Sequence, residues 1–230
     1  MRQPRLLQGL PPEEHDRLVE RARRRTYVAG EVIFREGDPA DSLHLVLSGR
    51  VAATVTSPDG RELTFALIGQ DEVFGELALL GDGGLRGITA KALEPTETLV
   101  IHRRDFDNLR RRHRAVSELL IRILSERVIR LTGQLEDALY LPVQTRILRR
   151  VIELARFYGG GAVPAVIPLS QDHVAGLAGT ARATVNRVLR AEQGRGTLSL
   201  EKRRITVHDM DALVRRARVV RGSVDTRPIR

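Results

Sequence analysis

The chain has 230 residues, 42% of them hydrophobic, with a formal net charge of +9. That is long enough for one large domain or two modest ones, and no run of eighteen apolar residues is present to cross a membrane. Cysteine is absent, which excludes disulfides, thiolate zinc sites, Cys-held iron–sulfur clusters and thiol redox sensing.

The six histidines (15, 44, 102, 113, 173 and 208) show no metal-ligand pairing, so no metal is expected and each reads as a surface or packing residue. The N-terminal MRQPRLLQGLPPEEHDR carries charges where a signal peptide needs apolar residues, and a cytoplasmic protein without membrane contact is expected. Charge is unevenly placed. Residues 1–140 carry 21 basic and 22 acidic side chains, a net of −1, whereas residues 141–230 carry 17 and 7, a net of +10. A near-neutral front and a basic back suit a sensor joined to a binder of polyanions.

Residues 12–24 read as a short amphipathic helix, started by Pro12 with Glu13 and Glu14 in its first turn. From Tyr27 the period changes to two, and Val32–Phe34, Leu43–Leu47, Val51–Val55, Leu63–Ile68 and Glu97–Ile101 are expected strands. The turn signals between them, Pro58-Asp59-Gly60 among them, indicate a sandwich or roll. A cassette follows, Asp71-Glu72-Val73-Phe74-Gly75-Glu76-Leu77-Ala78, then a Gly-rich loop and Leu85-Arg86-Gly87. After Asp105 the chain turns helical. One long helix is expected over about Ser117 to Tyr140. Ile121, Leu124, Val128, Leu131, Leu135 and Ala138 form an a/d seam on it, suited to a two-stranded coil or to packing on its own domain.

Pro142 opens a further helix to about Phe157, stopped by Gly159-Gly160-Gly161. Val166-Ile167 is a short strand leading to Leu169–Glu192, two short helices around a tight turn. Ser170 is an N-cap hydroxyl, Gly179 ends the first helix and Thr180 is placed to cap the second. The second helix buries Val185, Val188 and Leu189 and shows Arg182, Thr184, Asn186 and Arg187. Such a helix suits the DNA major groove, where Arg bonds guanine bidentately; an ordinary helical hairpin with a solvated face has the same pattern. Thr197–Leu200 and Arg204–Val207 are strands of a wing around Glu201-Lys202-Arg203. Asp209–Val219 is a last helix and Arg221–Arg230 a loose tail.

Taken together over about residues 8–220, these features resemble the cyclic-AMP receptor / fumarate-nitrate regulator (CRP/FNR) superfamily. The resemblance implies an α+β chain: an N-terminal cyclic-nucleotide-binding β-roll (a double-stranded jelly roll) over residues 1–112, a long dimerisation helix over 113–140 and a C-terminal winged helix-turn-helix over 141–230. It implies ligand contacts at Gly75, Glu76 and Leu77, with Glu76 on the ribose and Arg86 on the cyclic phosphate. Arg127 would stand near that glutamate. On the DNA side it implies Ser170, Gln171, Ala181, Arg182, Thr184, Asn186 and Arg187. The implied partners are a two-fold DNA site, a second copy of the chain and RNA polymerase; the implied effector is cAMP or a related cyclic nucleotide, and no enzymatic activity is expected.

Four departures from that family matter. Gly87 replaces a small hydroxyl residue. Leu131 and Thr132 occupy the adenine-facing positions, and Leu131 cannot bond an amino group. Ala183 replaces a glutamate that accepts from cytosine. Pro142 replaces a residue that is often Asp at the hinge. The phosphate and ribose ends thus look intact while base recognition is weakened, which leaves a constitutive regulator with a vestigial cassette as the alternative. A further alternative makes Glu76 and Arg86 each other's buried ion-pair partner.

Overall fold

The structure, a computed structural model, describes residues 11–58, 60, 62–81 and 84–217, with the backbone alone at residue 15. The expected tail at 221–230 and Asp59 of the hairpin cue lie outside the described residues. Two compact units are present, Met1–Leu131 and Thr132–Arg230.

The first unit opens with α1 (Pro12–Arg21), then β1 (Arg23–Tyr27), β2 (Val32–Phe34), β3 (Ser42–Ser48), β4 (Val51–Thr56), β5 (Glu62–Ile68) and β6 (Val73–Phe74). The four-residue α2 (Leu77–Leu80), β7 (Thr89–Ala92), β8 (Thr96–His102), α3 (Arg103–Arg112) and the start of α4 (Arg114–Tyr140) complete it. The strands form two four-stranded antiparallel sheets, β1-β8-β3-β6 and β2-β7-β4-β5, the expected double-sheet roll. Strand β3 reads as a nearly continuous apolar run because both its faces are covered. Leu43 and Leu45 point at Leu18 of α1, Phe106 and Leu109 of α3 and Val116 and Leu120 of α4. Val46 points the other way, into a core with Phe34, Val51, Ala53, Ile68, Phe74 and Ala90.

Three strands escape the period-two reading. β1 is Arg-Arg-Arg-Thr-Tyr, which extends the helical pattern of α1 to residue 24; in the fold it pairs with β8 from Arg23↔Val100 to Tyr27↔Thr96. Sheet pairing overrides the local preference, and the arginines guard an open edge. β7 is Thr-Ala-Lys-Ala, three of its four residues weak strand formers, yet Ala90 and Ala92 are fully buried where little room is left. β6 has two residues, too few to show a period.

Helix α4 runs 27 residues, about 40 Å. Only Val116 and Leu120 at its start are buried, while Ile121, Val128, Leu131 and Leu135 of the seam stand exposed in the single chain. In the second unit, α5 (Val143–Gly159), β9 (Ala165–Ile167), α6 (Gln171–Ala178), α7 (Arg182–Gly194), β10 (Leu198–Glu201), β11 (Arg204–Val207) and α8 (Met210–Ala217) follow. Pro142 is the N-cap of α5 rather than its first residue, and Gly160 closes that helix in the left-handed conformation. β10, β11 and β9 make a three-stranded sheet. Ile147, Val151 and Leu154 of α5, Val174 of α6, Val185 and Leu189 of α7 and Leu213 of α8 are all nearly or fully buried. No described helix is long and apolar enough to cross a membrane.

Gly49 links β3 to β4 with φ +83°, and a Cβ there would lie 2.5 Å from the Pro95 carbonyl oxygen and 2.7 Å from Thr96 Cα. Gly30 has φ +87° but open space. Gly49→Ala therefore lowers stability by about 2 kcal/mol or more, while Gly30→Ala costs only the conformational strain, about 1 kcal/mol. Chemical denaturation of the two variants against the parent checks the difference.

Candidate functional site

Glu76 is the N-cap of α2 and has no solvent exposure. A buried carboxylate needs a partner. Its Oε1 accepts from Arg127 Nη1, and Arg127 Nη2 donates to the Val73 carbonyl, so the guanidinium ties α4 to the cassette strand. Burial raises the Glu76 pKa and Arg127 opposes the rise. Its second oxygen, Oε2, is buried with no partner among the described residues.

Arg86 is 4% exposed. Nη1 donates to the Gly75 carbonyl at 3.1 Å, Nη2 donates to Ser42 Oγ at 3.2 Å, and the guanidinium carbon lies 4.2 Å from the Phe34 ring centroid. Its Nε is buried with no hydrogen-bond partner among the described residues. Burial lowers its pKa, with Asp41 and Asp38 acting in the other direction. The ion pair of the cassette is thus Glu76–Arg127, with Arg127 standing near the glutamate as the resemblance implies; Arg86 is bonded instead to neutral oxygens and laid over a ring, so the alternative in which Glu76 and Arg86 pair with each other does not hold. The physical reason is position: Arg127 supplies both a carboxylate contact and a carbonyl contact from one rigid helix.

Gly75 is dictated by geometry. Its φ is +83°, and a Cβ would sit 2.6 Å from Arg86 Nη1. His44 stacks on Phe74 at 4.9 Å between ring centroids and meets Thr98 Oγ1 at 3.2 Å. Burial, with Arg86 nearby, pushes its pKa down to about 3, so it is neutral and adds no charge to the roll.

The fold therefore brings together Gly75, Glu76, Arg86 and Arg127. Leu77 points outward, 61% exposed, and Gly87 has open space around its Cβ position. Leu131 is an exposed apolar residue of the first unit and Thr132 an exposed residue of the second. Ser42 and Phe34 were not singled out from the sequence. They lie far from Arg86 along the chain and carry no motif of their own.

In the second unit Ser170 is the N-cap of α6, and its backbone N–H and hydroxyl both meet Nδ1 of His173, a capping box. His173, half-buried, thereby serves as the cap partner at the start of α6. Thr180 does not cap α7. Its amide closes back on the Ala175 carbonyl at 3.1 Å behind the left-handed Gly179, and Ala181 is the N-cap, without a side-chain bond. Arg182 and Arg187 are exposed at the front of α7, with Arg182 3.2 Å from Asp172 in an exposed pair of little energetic weight. Asn186 is engaged within the protein: it donates to Gln171 Oε1 at 2.8 Å and accepts from Arg190 Nε at 2.9 Å. The wing turns at Lys202-Arg203, with Arg203 left-handed at φ +60°. Arg146 donates to the Ala178 carbonyl at the end of α6 and to Ala138 and Leu141 at the end of α4, a brace with no sequence signal.

Removing Arg127 leaves the buried Glu76 carboxylate alone. Arg127→Met is expected to cost about 3 kcal/mol near neutral pH. A raised carboxylate pKa means the folded state holds its proton to higher pH than the unfolded state. Stability is then greatest below the unfolded pKa and falls as pH rises through the folded one. The variant should therefore recover part of its deficit on acidification, read from thermal midpoints of parent and variant across pH.

Family models match in two places: a cyclic nucleotide-binding domain over residues 24–113 and a Crp-like helix-turn-helix domain over residues 145–216. A CRP-like cAMP-activated global transcriptional regulator of Mycobacterium tuberculosis is 31% identical over 216 residues, 93% of this chain and 96% of that protein. A cyclic AMP receptor protein of Thermus thermophilus is 37% identical over 195 residues, 85% and 88% of the two chains. The c-di-GMP responsive global regulator CLP of Xanthomonas campestris shares the fold, with a TM-score of 0.77 at 24% identity over 86% of this chain and 99% of that one. The relatives are regulators of transcription rather than enzymes, and with its roll, long helix and winged helix-turn-helix in this order the chain belongs to the CRP/FNR superfamily of transcription regulators.

Proposed function

We propose that this chain is a homodimeric, two-fold DNA-binding regulator whose roll binds a small monoanionic effector, cyclic AMP first among the cyclic nucleotides. The observation that carries the reading is the state of Arg86. Glu76 pairs with Arg127, while buried Arg86 has a hydroxyl, a carbonyl and a ring against its guanidinium and no contact ion pair among the described residues, Asp41 and Asp38 acting on it only from further off. A guanidinium without a contacting carboxylate suits an anionic ligand, and a cyclic phosphodiester is one. Arg86 Nε is a free donor for a phosphate oxygen, and Glu76 Oε2 is a free acceptor for a ribose hydroxyl. Gly75, Glu76, Arg86 and Arg127 would hold the nucleotide, and the room at Gly87 leaves its amide accessible. The base end has Leu131 where a polar reader would stand, which favours effector recognition through phosphate and sugar. A regulator that works without effector is the second reading, and Leu131 is the observation behind it.

The effector would bias the DNA-binding unit by binding one of its arrangements better. Ser170, Gln171, Ala181, Arg182, Thr184 and Arg187 would face the duplex, Arg182 and Arg187 reading bases and the rest contacting or approaching the backbone. Asn186 would act with Gln171 and Arg190 to hold that face. RNA polymerase is the further partner such a regulator requires, and the cytoplasm the compartment.

Two experiments test this. Calorimetry with cyclic AMP and cyclic GMP should show saturable binding that Arg86→Gln weakens about a hundredfold. No uptake of either nucleotide, with undiminished binding to a two-fold duplex, would favour the effector-free reading. In anisotropy titrations, two-fold duplex should be preferred over random duplex, affinity should fall steeply with salt, and Arg187→Ala should cost about 1–3 kcal/mol of site preference. The dimer is checked separately. Val128→Glu with Leu135→Glu places charge on the exposed seam of α4, and sedimentation should show a monomer without two-fold DNA binding; a variant that stays dimeric would remove the coil from the proposal.

A further inference from the structure

Helix α2 carries Glu76 at its N-cap, yet it has four residues. A helix that short has no stability of its own and leaves its last carbonyls without helical partners. Those carbonyls are occupied from another element. Arg103, the first residue of α3, donates from Nη1 to the Leu79 carbonyl at 3.1 Å and from Nη2 to the Ala78 carbonyl at 2.8 Å. A guanidinium at a helix C-terminus also matches the negative end of the dipole.

The same side chain reaches a second strap. Nη2 lies 3.4 Å from the Ala40 carbonyl, and the Arg103 amide donates to the Asp41 carbonyl at 2.6 Å. Asp41 leads directly into Ser42, whose Oγ receives Arg86 and whose carbonyl oxygen lies 3.4 Å from the Cβ position of Gly75. Arg103 therefore bonds to the segment that presents Glu76 and to the segment that seats Arg86. It makes no hydrogen bond to either of those two side chains among the described residues. It stands on the junction of β8 and α3, anchored by buried Ile101 and Phe106.

We propose that Arg103 is the positioning residue of the effector site: its forked guanidinium fixes the distance between the Glu76 strap and the Ser42–Arg86 strap. This rests on the effector reading given above. Lysine cannot substitute, because a single ammonium is a point donor and the three carbonyls are spread over two segments. A displacement on the order of 1 Å between two groups that hold one ligand is enough to lose binding.

Calorimetry of the full chain with cyclic AMP as titrant reads the proposal. Arg103→Met should raise Kd about tenfold with the number of sites per chain unchanged. Arg103→Lys should fall between parent and Met variant, and carries the test if the Met variant does not fold. Arg104→Met, an exposed neighbour, should match the parent. A residue that serves stability alone would reduce the number of competent sites at an unchanged Kd, and that result overturns the proposal, as does no change in either quantity. If the parent takes up no cyclic AMP, the effector reading fails by itself. The positioning is then read from amide exchange of Leu80 and Gly81 in the nucleotide-free protein. Those amides donate to the Glu76 and Leu77 carbonyls that close α2, and exchange should quicken in Arg103→Met; equal exchange overturns the proposal.

Discussion

A carboxylate with no solvent exposure is the constraint around which the first unit is arranged. Glu76 can remain charged at that depth only if a cation meets it and if backbone groups hold it in place. Arg127 supplies the cation, and because Arg127 belongs to α4 the pairing ties the long helix to the cassette. Once Arg127 is committed, Arg86 is left to neutral partners and to the face of Phe34. Gly75 follows from that, since any Cβ would occupy the place of Arg86 Nη1. His44 is neutral as well, because burial disfavours its charge and Arg86 beside it adds repulsion.

A different device organises the DNA-binding unit. The front of α7 carries exposed arginines, but their aim depends on how α6 meets α7. The amides of Gln171 and Asn186 cross between the two helices, and Arg190 takes the remaining acceptor of Asn186. The turn between the helices closes through Gly179 and the Thr180 amide. Arg146 holds the carbonyls at the end of α6 and at the end of α4 with one guanidinium. Side chains that touch no ligand thus set the pose of those that would. The same division of labour holds in the roll, where Arg103 bonds only carbonyls.

Helix α4 is divided along its length. Its first turns are buried against β3, while the seam beyond them is apolar and exposed. Such an exposed apolar row is what the proposed two-stranded coil would cover.

The double-sheet roll, the helix-turn-helix and the wing were legible in the chain because their signals are local. Alternation marks β4 and β5, Gly179 marks the turn, and Ser170 marks the start of α6. The cassette stands out in the chain as the spacing from Glu76 to Arg86, and the family resemblance, not the spacing, implies its ligand roles. What escaped depended on distant segments: Arg23–Arg25 became a strand only because β8 offers it hydrogen bonds. The order of residues along the chain is enough to say which ones carry charge into the roll and which arginines front α7. That Glu76 goes to Arg127 and Arg86 to Ser42 came from the folded arrangement, because a buried charge chooses its partner by distance in space, and residues 51 and 44 positions apart have no local signal that links them.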